Sequence, residues 1–258
     1  MRRVDAGIGM LMDALKASGK YDNTIILLTG DNGPPFARGK TTCYEAGLRE
    51  PLLVRWPGVS KTGHVSKAMA CSIDIMPTLL DAAGVPAPKM HGRSLKTVLQ
   101  GDDTNWRACM AGEFHAHIGD DFFPRRAIRD DRYKLIHNPW SGRAKPSPSI
   151  DTDTAPVVAA SAKYNGTPAQ KAMQRHTNPP LWELYDLSAD PYEFENLADD
   201  PAHRQTLARM KKALADWQDE TDDPCRDPKW METMQAGHQK TKSPRPPRKA
   251  KPGKNKGK

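Results

Sequence analysis

The chain has 258 residues, a length typical of one or two domains. Its 37% hydrophobic and 27% charged content permits a globular core, and no apolar run approaches the ~20 residues of a membrane-spanning helix. The 23 prolines and 19 glycines follow no triplet repeat, so a collagen-like chain is also excluded.

The net charge of +8 is concentrated at the C-terminus. Residues 238–258 contain nine Lys and Arg and no Asp or Glu, which leaves 30 basic and 31 acidic residues in the rest of the chain. A nearly neutral body does not predict a nucleic-acid surface, since such surfaces carry positive charge on the folded domain. We expect a solvated, disordered basic tail over 228–258, with a tail that binds polyanions as the alternative.

Four widely spaced cysteines match no zinc-binding pattern, and they leave buried thiols and disulfides equally open; they are Cys43, Cys71, Cys109 and Cys225. The basic N-terminus is not followed by an apolar segment, so no signal peptide is visible.

In chain order, the first hundred residues alternate helices with apolar runs. Apolar residues at helical spacing predict a helix over 3–18, and Gly19 is a natural stop. The continuous run at 24–29 is typical of a strand buried on both faces, as in a parallel sheet. A second apolar run and two further helices are predicted at 51–56, 72–83 and 91–99.

From about residue 101 the pattern changes to short strands, predicted at 109–114, 127–129, 133–137 and 182–187. The segment 138–180 is rich in Pro, Ser and Thr and predicts a long irregular excursion. Apolar residues on one face predict an amphipathic helix over 201–217. We therefore divide the chain into an α/β part over 1–100, an α+β part over 101–227 and the tail.

Polar residues follow the first predicted strand directly. Asp31 and Asn32 lie at its carboxyl end, where open α/β sheets bind ligands. Carboxylate and amide oxygens suit a hard cation such as Ca²⁺. The same Asp-Asn-Gly sequence is also ordinary turn chemistry, so a plain turn is the alternative.

This strand and loop are part of a series of motifs in a fixed order. They are NTIILLTGDNG at 23–33, GK at 39–40, YEAG at 44–47, EPLLVRWPG at 50–58, SIDIMPTLL at 72–80, GRSL at 92–95, WELYDL at 182–187 and DPYEFENL at 190–197. In this order they resemble the sulfatase family of the alkaline-phosphatase-like superfamily. Details at 35–36, 50–54 and 217–221 resemble its heparan N-sulfatase (sulfamidase) branch.

The resemblance implies a fold and a reaction. The fold would be the C-terminal half of an alkaline-phosphatase-like α/β/α sulfatase domain, followed by a smaller α+β subdomain with a short antiparallel sheet. The reaction would be hydrolysis of sulfate esters or N-sulfate groups of sulfated sugars, in a periplasmic, secreted or lysosomal enzyme.

The resemblance also assigns roles to individual residues. Asp31 and Asn32 would ligate Ca²⁺, and Lys40 would be the catalytic cation that contacts the sulfate. Arg38 is two residues away and is the alternative for that match. His117 and Arg126 would contact the sugar from the small domain, with an ordinary surface loop as the alternative.

One difference from the family motifs limits which properties of the family can be expected of this chain. Sulfatases make a formylglycine from the Cys or Ser of a C/S-x-P-S/A-R motif, and this motif does not occur here. The upstream metal-binding Asp pair and catalytic His and Lys of the family are also unmatched. We therefore expect Met1 to be an internal start or the product of a truncated reading frame, and the chain to be inactive alone. A phosphonate or phosphate monoester hydrolase of the same superfamily, or a non-catalytic fragment, is the alternative.

Overall fold

The computed structural model describes residues 2–117, 122–144, 146 and 159–241. The helices are α1 (Arg2–Ala17), α2 (Glu45–Leu48), α3 (Ile75–Ala82), α4 (Lys96–Leu99), α5 (Pro168–Thr177), α6 (Arg204–Glu220) and α7 (Pro228–Thr241). The strands are β1 (Ile26–Thr29), β2 (Leu52–Arg55), β3 (Met110–Phe114), β4 (Arg125–Arg129), β5 (Tyr133–His137) and β6 (Trp182–Asp186). Within this described part, none of the helices has both the length and the apolar character needed to cross a bilayer.

The first predicted strand forms, but its pairing differs from the prediction. β1 pairs antiparallel with β2, in a register that sets Thr29 opposite Leu52. Both faces stay partly open: the paired Leu28 and Leu53 on one face are 40% and 56% exposed, and Thr29 on the other face is also exposed. The predicted parallel pairing and two-sided burial are therefore wrong for the described chain. The apolar run encodes strand propensity, whereas its neighbours decide the pairing direction and the burial.

The helices of the first part are confirmed, with one shorter than predicted. A short 3₁₀ turn at Ser72–Asp74 leads into α3, and α4 occupies only the end of the predicted 91–99 segment. The backbone N–H of Arg93 donates to the Asp74 carboxylate at 2.9 Å, and that of Leu95 donates to Thr78 Oγ1 at 2.9 Å. These tertiary bonds hold the residues before α4 in a non-helical conformation.

The second part is built on the predicted short antiparallel sheet, whose four strands lie in the order β3-β4-β5-β6. Successive side chains of a strand point to opposite faces. What we call the helix face carries Ile128, Leu135 and Leu184, which pack against Met210 and Leu214 of α6. What we call the loop face carries Ala127, Ile136 and Tyr185, which pack against Cys43 and Tyr44. The sheet therefore separates α6 from the segment that precedes α2.

The segment predicted to be irregular contains a helix, α5. Thr167 is its N-cap and accepts the N–H of Gln170 at 3.3 Å, and Pro168 occupies the first turn. Thr-Pro at this place is a helix start signal that the compositional bias of the segment obscured. Residues 147–158 of the same prediction lie outside the described residues.

The predicted disorder from residue 228 is wrong over its first part, where α7 forms. Met231 is 6% exposed and packs with the buried Cys225 and Phe122, and Trp230 contributes to the same cluster. These apolar residues lie before the Lys- and Arg-rich C-terminal residues, and their burial stabilises the helix. Residues 242–258 lie outside the described residues. The four cysteines are all thiols, and Cys43 and Cys225 are buried.

Candidate functional site

The two predicted metal ligands lie in the turn that follows β1. Asp31 is exposed and Asn32 is partly buried. The Asn32 amide nitrogen donates to the carbonyl of Gly33 at 2.9 Å, so the side-chain oxygen is the acceptor that remains. The turn therefore combines ordinary turn bonding with two oxygens of the type that hard cations prefer.

Glycines close the segment after this turn back on itself. The N–H of Gly33 donates to the carbonyl of Gly47 at 3.3 Å, and a Cβ at Gly33 would lie 2.0 Å from the Ala46 carbonyl oxygen. The N–H of Lys40 donates to the carbonyl of Pro34 at 3.0 Å. The structure thus brings Asp31, Asn32 and Lys40 onto one closed loop, residues 30–47, which we call the site loop.

Alanine at Gly33 should destabilise the protein, because its Cβ would overlap backbone atoms that cannot move without opening the site loop. We expect a loss of about 1–3 kcal/mol in the free energy of unfolding, measured by urea denaturation. Gly7→Ala in α1 is the matched control, since nothing lies within 4 Å of its added Cβ. In a helix that change should stabilise by about 0.5–1 kcal/mol. Equal effects at the two glycines would contradict the packing argument.

Arg38 does not compete with Lys40 for the sulfate-contacting role in this structure. Its side chain is 7% exposed, and its NH2 group donates to the carbonyls of Tyr192 and Glu193 at 3.0 and 2.8 Å. The guanidinium also lies 3.8 Å from the ring centroid of Tyr44. Arg38 anchors the site loop to the rest of the chain, which favours Lys40, only partly buried, as the site residue.

A buried carboxylate on the loop face holds the middle of the site loop. Glu183 is 1% exposed and accepts the Tyr44 hydroxyl at 2.8 Å, the Asn138 amide at 2.9 Å and the hydroxyl of Tyr185. Burial raises the pKa of the Tyr44 hydroxyl, and the negative charge of Glu183 raises it further. Tyr44 is therefore a neutral donor that ties the loop to β6.

A second set of charges holds α2, at the end of the site loop. The Glu45 carboxylate accepts from Arg129 at 2.7 Å and from Lys134 at 3.1 Å. Lys134 is fully buried and also contacts Glu193 at 2.9 Å. Burial alone would raise the pKa of Glu45, but Lys134 and Arg129 hold it below its ordinary value. The sheet therefore fixes the loop by charge as well as by packing.

Glu50 is a further carboxylate at this turn that the sequence analysis treated only as part of a motif. Glu50 lies two residues before β2, whose first residue, Leu52, pairs with the last residue of β1. A Cβ at Gly30 would lie 2.1 Å from Glu50 Oε2. The sequence feature that could have identified Glu50 is its position directly before the second apolar run.

The donor chemistry of the turn fits Ca²⁺, but the number of ligands is too small. Ca²⁺ takes six to eight oxygen ligands. In the part of the chain that the structure describes, no group of three or more His, Cys, Asp and Glu side chains is arranged to hold a metal ion. A complete site would need oxygens from outside these residues.

The structure does not bring Arg126 together with Lys40. Arg126 is 0% exposed and donates to both carboxylate oxygens of Asp223, at 2.9 and 2.6 Å. Its side chain lies on the helix face of β4, whereas the site loop packs on the opposite face. His117 Nε2 is buried without a partner among the described residues. Direct contact between Arg126 and a sugar would require its release from Asp223.

Comparison with known proteins agrees with this architecture. Residues 38–144 match the family model for the C-terminal region of N-sulphoglucosamine sulphohydrolase. Human N-sulphoglucosamine sulphohydrolase is 34% identical over 239 residues, which cover 86% of this chain and 47% of that protein. An ulvan-active sulfatase of Formosa agariphila is 30% identical, with 84% of this chain and 42% of that protein covered. The chain spans about half the length, or less, of these relatives.

Solved structures give the same result. A protein determined in complex with its substrate D-glucosamine-2-N,6-O-disulfate superposes with a TM-score of 0.64 at 28% identity, covering 86% of this chain and 39% of that one. Phosphonate monoester hydrolase of Agrobacterium radiobacter superposes with a TM-score of 0.59 at 23% identity, covering 84% and 39%, which shows a shared fold. Motif order, sequence identity and fold agree: the chain is similar to sulfatases, and it aligns with the C-terminal portion of N-sulphoglucosamine sulphohydrolase.

Proposed function

We propose that this chain supplies part of the metal- and sulfate-binding site of a sulfatase acting on sulfate esters or N-sulfate groups of sulfated sugars. The observation that carries the proposal is the closed site loop, which holds Asp31, Asn32 and Lys40 together and is fixed to the sheet by buried charges. Relatives and a solved structure with a sulfated glucosamine support the substrate class. We also propose that the enzyme is periplasmic, secreted or lysosomal.

Each residue of the site loop has a chemical role in this proposal. The oxygens of Asp31 and Asn32 would hold Ca²⁺ together with ligands from elsewhere in the enzyme, and the bound ion would supply positive charge next to the sulfate oxygens. Lys40 would place an ammonium where negative charge gathers as the S–O or S–N bond breaks. The nucleophile, a formylglycine in the family, has no matching motif in this sequence. We therefore propose that the chain has no turnover of its own.

Phosphonate or phosphate monoester hydrolysis is the second candidate. The fold is shared with a phosphonate monoester hydrolase. A multifunctional alkaline phosphatase superfamily protein of Trinickia caryophylli is 28% identical over 233 residues. The oxygens of Asp31 and Asn32 and the ammonium of Lys40 would also suit a phosphoryl group. Which of the two substrates binds better to the site loop therefore decides between the two candidate functions.

The proposal is tested on the chain itself by NMR titration with D-glucosamine N-sulfate, with phenylphosphonate as the competing ligand. We expect the sulfated sugar to shift the backbone amide signals of residues 31–33 and 39–40, because Lys40 attracts the sulfate. Lys40→Ala should abolish these shifts, and Lys61→Ala, at an exposed lysine, should keep them. Larger shifts with phenylphosphonate would favour the second candidate, and no shift with either ligand would favour a non-catalytic fragment.

Turnover is tested in a chimera in which this chain replaces the matching portion of human N-sulphoglucosamine sulphohydrolase. Lys40→Ala should lower kcat/KM about 10²–10³-fold, the typical effect of removing one fixed group from a charged transition state. Lys61→Ala is again the control. An unchanged kcat/KM in the Lys40→Ala chimera would remove Lys40 from the reaction.

A further inference from the structure

The segment 190–197 belongs to a motif that the proposed function does not use, and one of its residues contacts the site loop on both sides of Lys40. The carbonyl of Glu193 accepts from the Arg38 guanidinium at 2.8 Å. The Glu193 carboxylate accepts the backbone N–H of Glu45 through Oε2 at 2.7 Å. Arg38 lies two residues before Lys40 and Glu45 five residues after it. Glu193 therefore spans the part of the site loop that carries the proposed sulfate-binding cation.

Glu193 is itself held by the sheet. The backbone N–H of Leu184 in β6 donates to Asn196 Oδ1 at 2.8 Å, and that of Leu197 donates to the carbonyl of Leu184 at 2.8 Å. The Glu193 side chain is buried, and its Oε1 lies 2.9 Å from the Lys134 ammonium on β5. The two carboxylate oxygens thus have separate partners, one on the sheet and one on the site loop.

Residues on both sides of Lys40 adopt a backbone conformation that L-amino acids disfavour. The angle φ is 65° at Arg38 and 71° at Thr41, and it is 57° at Glu193. In this left-handed region the Cβ of a residue crowds the following carbonyl oxygen, so such residues persist where the surrounding structure holds them. The bond from Arg38 to Glu193 joins two of them. Tertiary contacts, rather than local preference, therefore set the path of the site loop at Lys40.

We propose that Glu193 is a positioning residue for Lys40, because its contacts with Arg38 and Glu45 fix the backbone from which the Lys40 ammonium reaches the sulfate. The role at the sulfate rests on the proposed function, whereas the placement of the Lys40 backbone does not. A charge that is fixed before the reaction stabilises the transition state without the cost of reorganisation. Lys134 contributes by pairing with both carboxylates, at 2.9 Å from Glu193 and 3.1 Å from Glu45, which offsets their negative charge.

The placement is tested on the chain itself by ¹H–¹⁵N NMR of the backbone amides. Glu193→Asn suits the left-handed backbone but is one methylene too short to reach the N–H of Glu45. We expect it to shift the amide signals of both Glu45 and Lys40. Glu193→Gln keeps the length and an acceptor oxygen but loses the charge that pairs with Lys134. It should therefore shift the same two signals by a smaller amount.

Asp186→Asn is the matched control for removing a carboxylate from the sheet. Asp186 is 6% exposed, lies on the helix face of β6 and pairs with Arg132 at 2.7 Å, so the change should leave the Lys40 signal in place. A Lys40 signal that moves no more in Glu193→Asn than in this control would overturn the placement. If Glu193→Asn does not fold, the same comparison is made with Glu193→Gln and decides in the same way.

The catalytic half is tested by a double-mutant cycle in the chimera described above. Glu193→Asn should lower kcat/KM about 10–10²-fold, since a displacement of about 1 Å has effects of this size. In the Lys40→Ala background the same change should alter kcat/KM less than about twofold, because the group through which Glu193 acts is then absent. A purely structural role would give equal losses in both backgrounds, and that result would overturn the positioning role.

Failure of the proposed function gives a different pattern. An inactive wild-type chimera, or a Lys40→Ala chimera with unchanged kcat/KM, would remove the proposed function and with it the catalytic half of the inference. The amide signals of Lys40 and Glu45 would still decide whether Glu193 places the site loop, since they need neither substrate nor turnover.

Discussion

Asp223→Ala is expected to cost roughly 3–5 kcal/mol of folding free energy, because it leaves the Arg126 guanidinium buried without its partner. Arg126 is 0% exposed, and Asp223 accepts from it through both oxygens. Asp223 also accepts from Gln218 at 2.7 Å and from the backbone N–H of Cys225 at 3.1 Å, so the variant removes four hydrogen bonds at one site. Glu113, at 3.4 Å and half exposed, compensates only weakly.

The measurement is urea denaturation at pH 7, followed by circular dichroism. Asp216→Ala on α6 is the control, since Asp216 pairs with Lys212 at 2.6 Å in an exposed i,i+4 contact. Such a pair contributes less than about 1 kcal/mol. Similar midpoints for the two variants would show that Arg126 finds another partner or reaches water when Asp223 is absent.

Acidification from pH 6.5 to 4 is expected to lower the free energy of unfolding steeply, through the partly buried His137 and the buried His176. Burial lowers the pKa of His137 to about 4, with the positive charges of Lys211 and Arg126 adding to the shift. Burial lowers the pKa of His176 to about 3, assisted by Arg125 and Arg38. In this window the unfolded state binds more protons than the folded state, so stability decreases as the pH falls.

His137 alone accounts for about 3 kcal/mol of this loss by pH 4, given its ordinary pKa of 6.5. The carboxylates with lowered pKa values, such as Glu45, begin to lose their contribution only at about pH 5, and most of that loss falls at more acidic pH. Burial raises the pKa of Glu193, which offsets part of the loss. About one pH unit above 6.5 the histidines contribute no further pH dependence, because both states are then neutral at these positions.

The pH dependence is measured by urea denaturation in steps between pH 4 and 7. His137→Gln and His176→Gln should each flatten the slope, and the double variant should flatten it most. His64→Gln, at an exposed histidine, should leave the slope unchanged. A slope that survives in the double variant would assign the acid sensitivity to carboxylates instead.

The sequence by itself determined the local elements and the order of the site motifs. The periodicity at 201–217 predicted the helix whose Met210 and Leu214 reach the sheet, and the short strands of the sheet were predicted close to their observed bounds. Asp31 and Asn32 were predicted from their position after the first strand together with the family resemblance, and Lys40 was predicted from the resemblance; all three lie on one loop of the structure. These features depend on residues close in sequence, so local patterns suffice to recognise them.

Only the tertiary structure decided what depends on distant contacts. The antiparallel pairing of β1 with β2 sets Thr29 opposite Leu52, and carbonyls more than 130 residues away accept from Arg38, which favours Lys40 as the cation of the proposed site. Arg126, predicted as a sugar contact, instead meets Asp223 at a separation of 97 residues. An arginine in the sequence does not reveal whether its guanidinium contacts a substrate or a buried carboxylate. The difference arises because a buried charge requires a partner, and folding alone brings that partner to it.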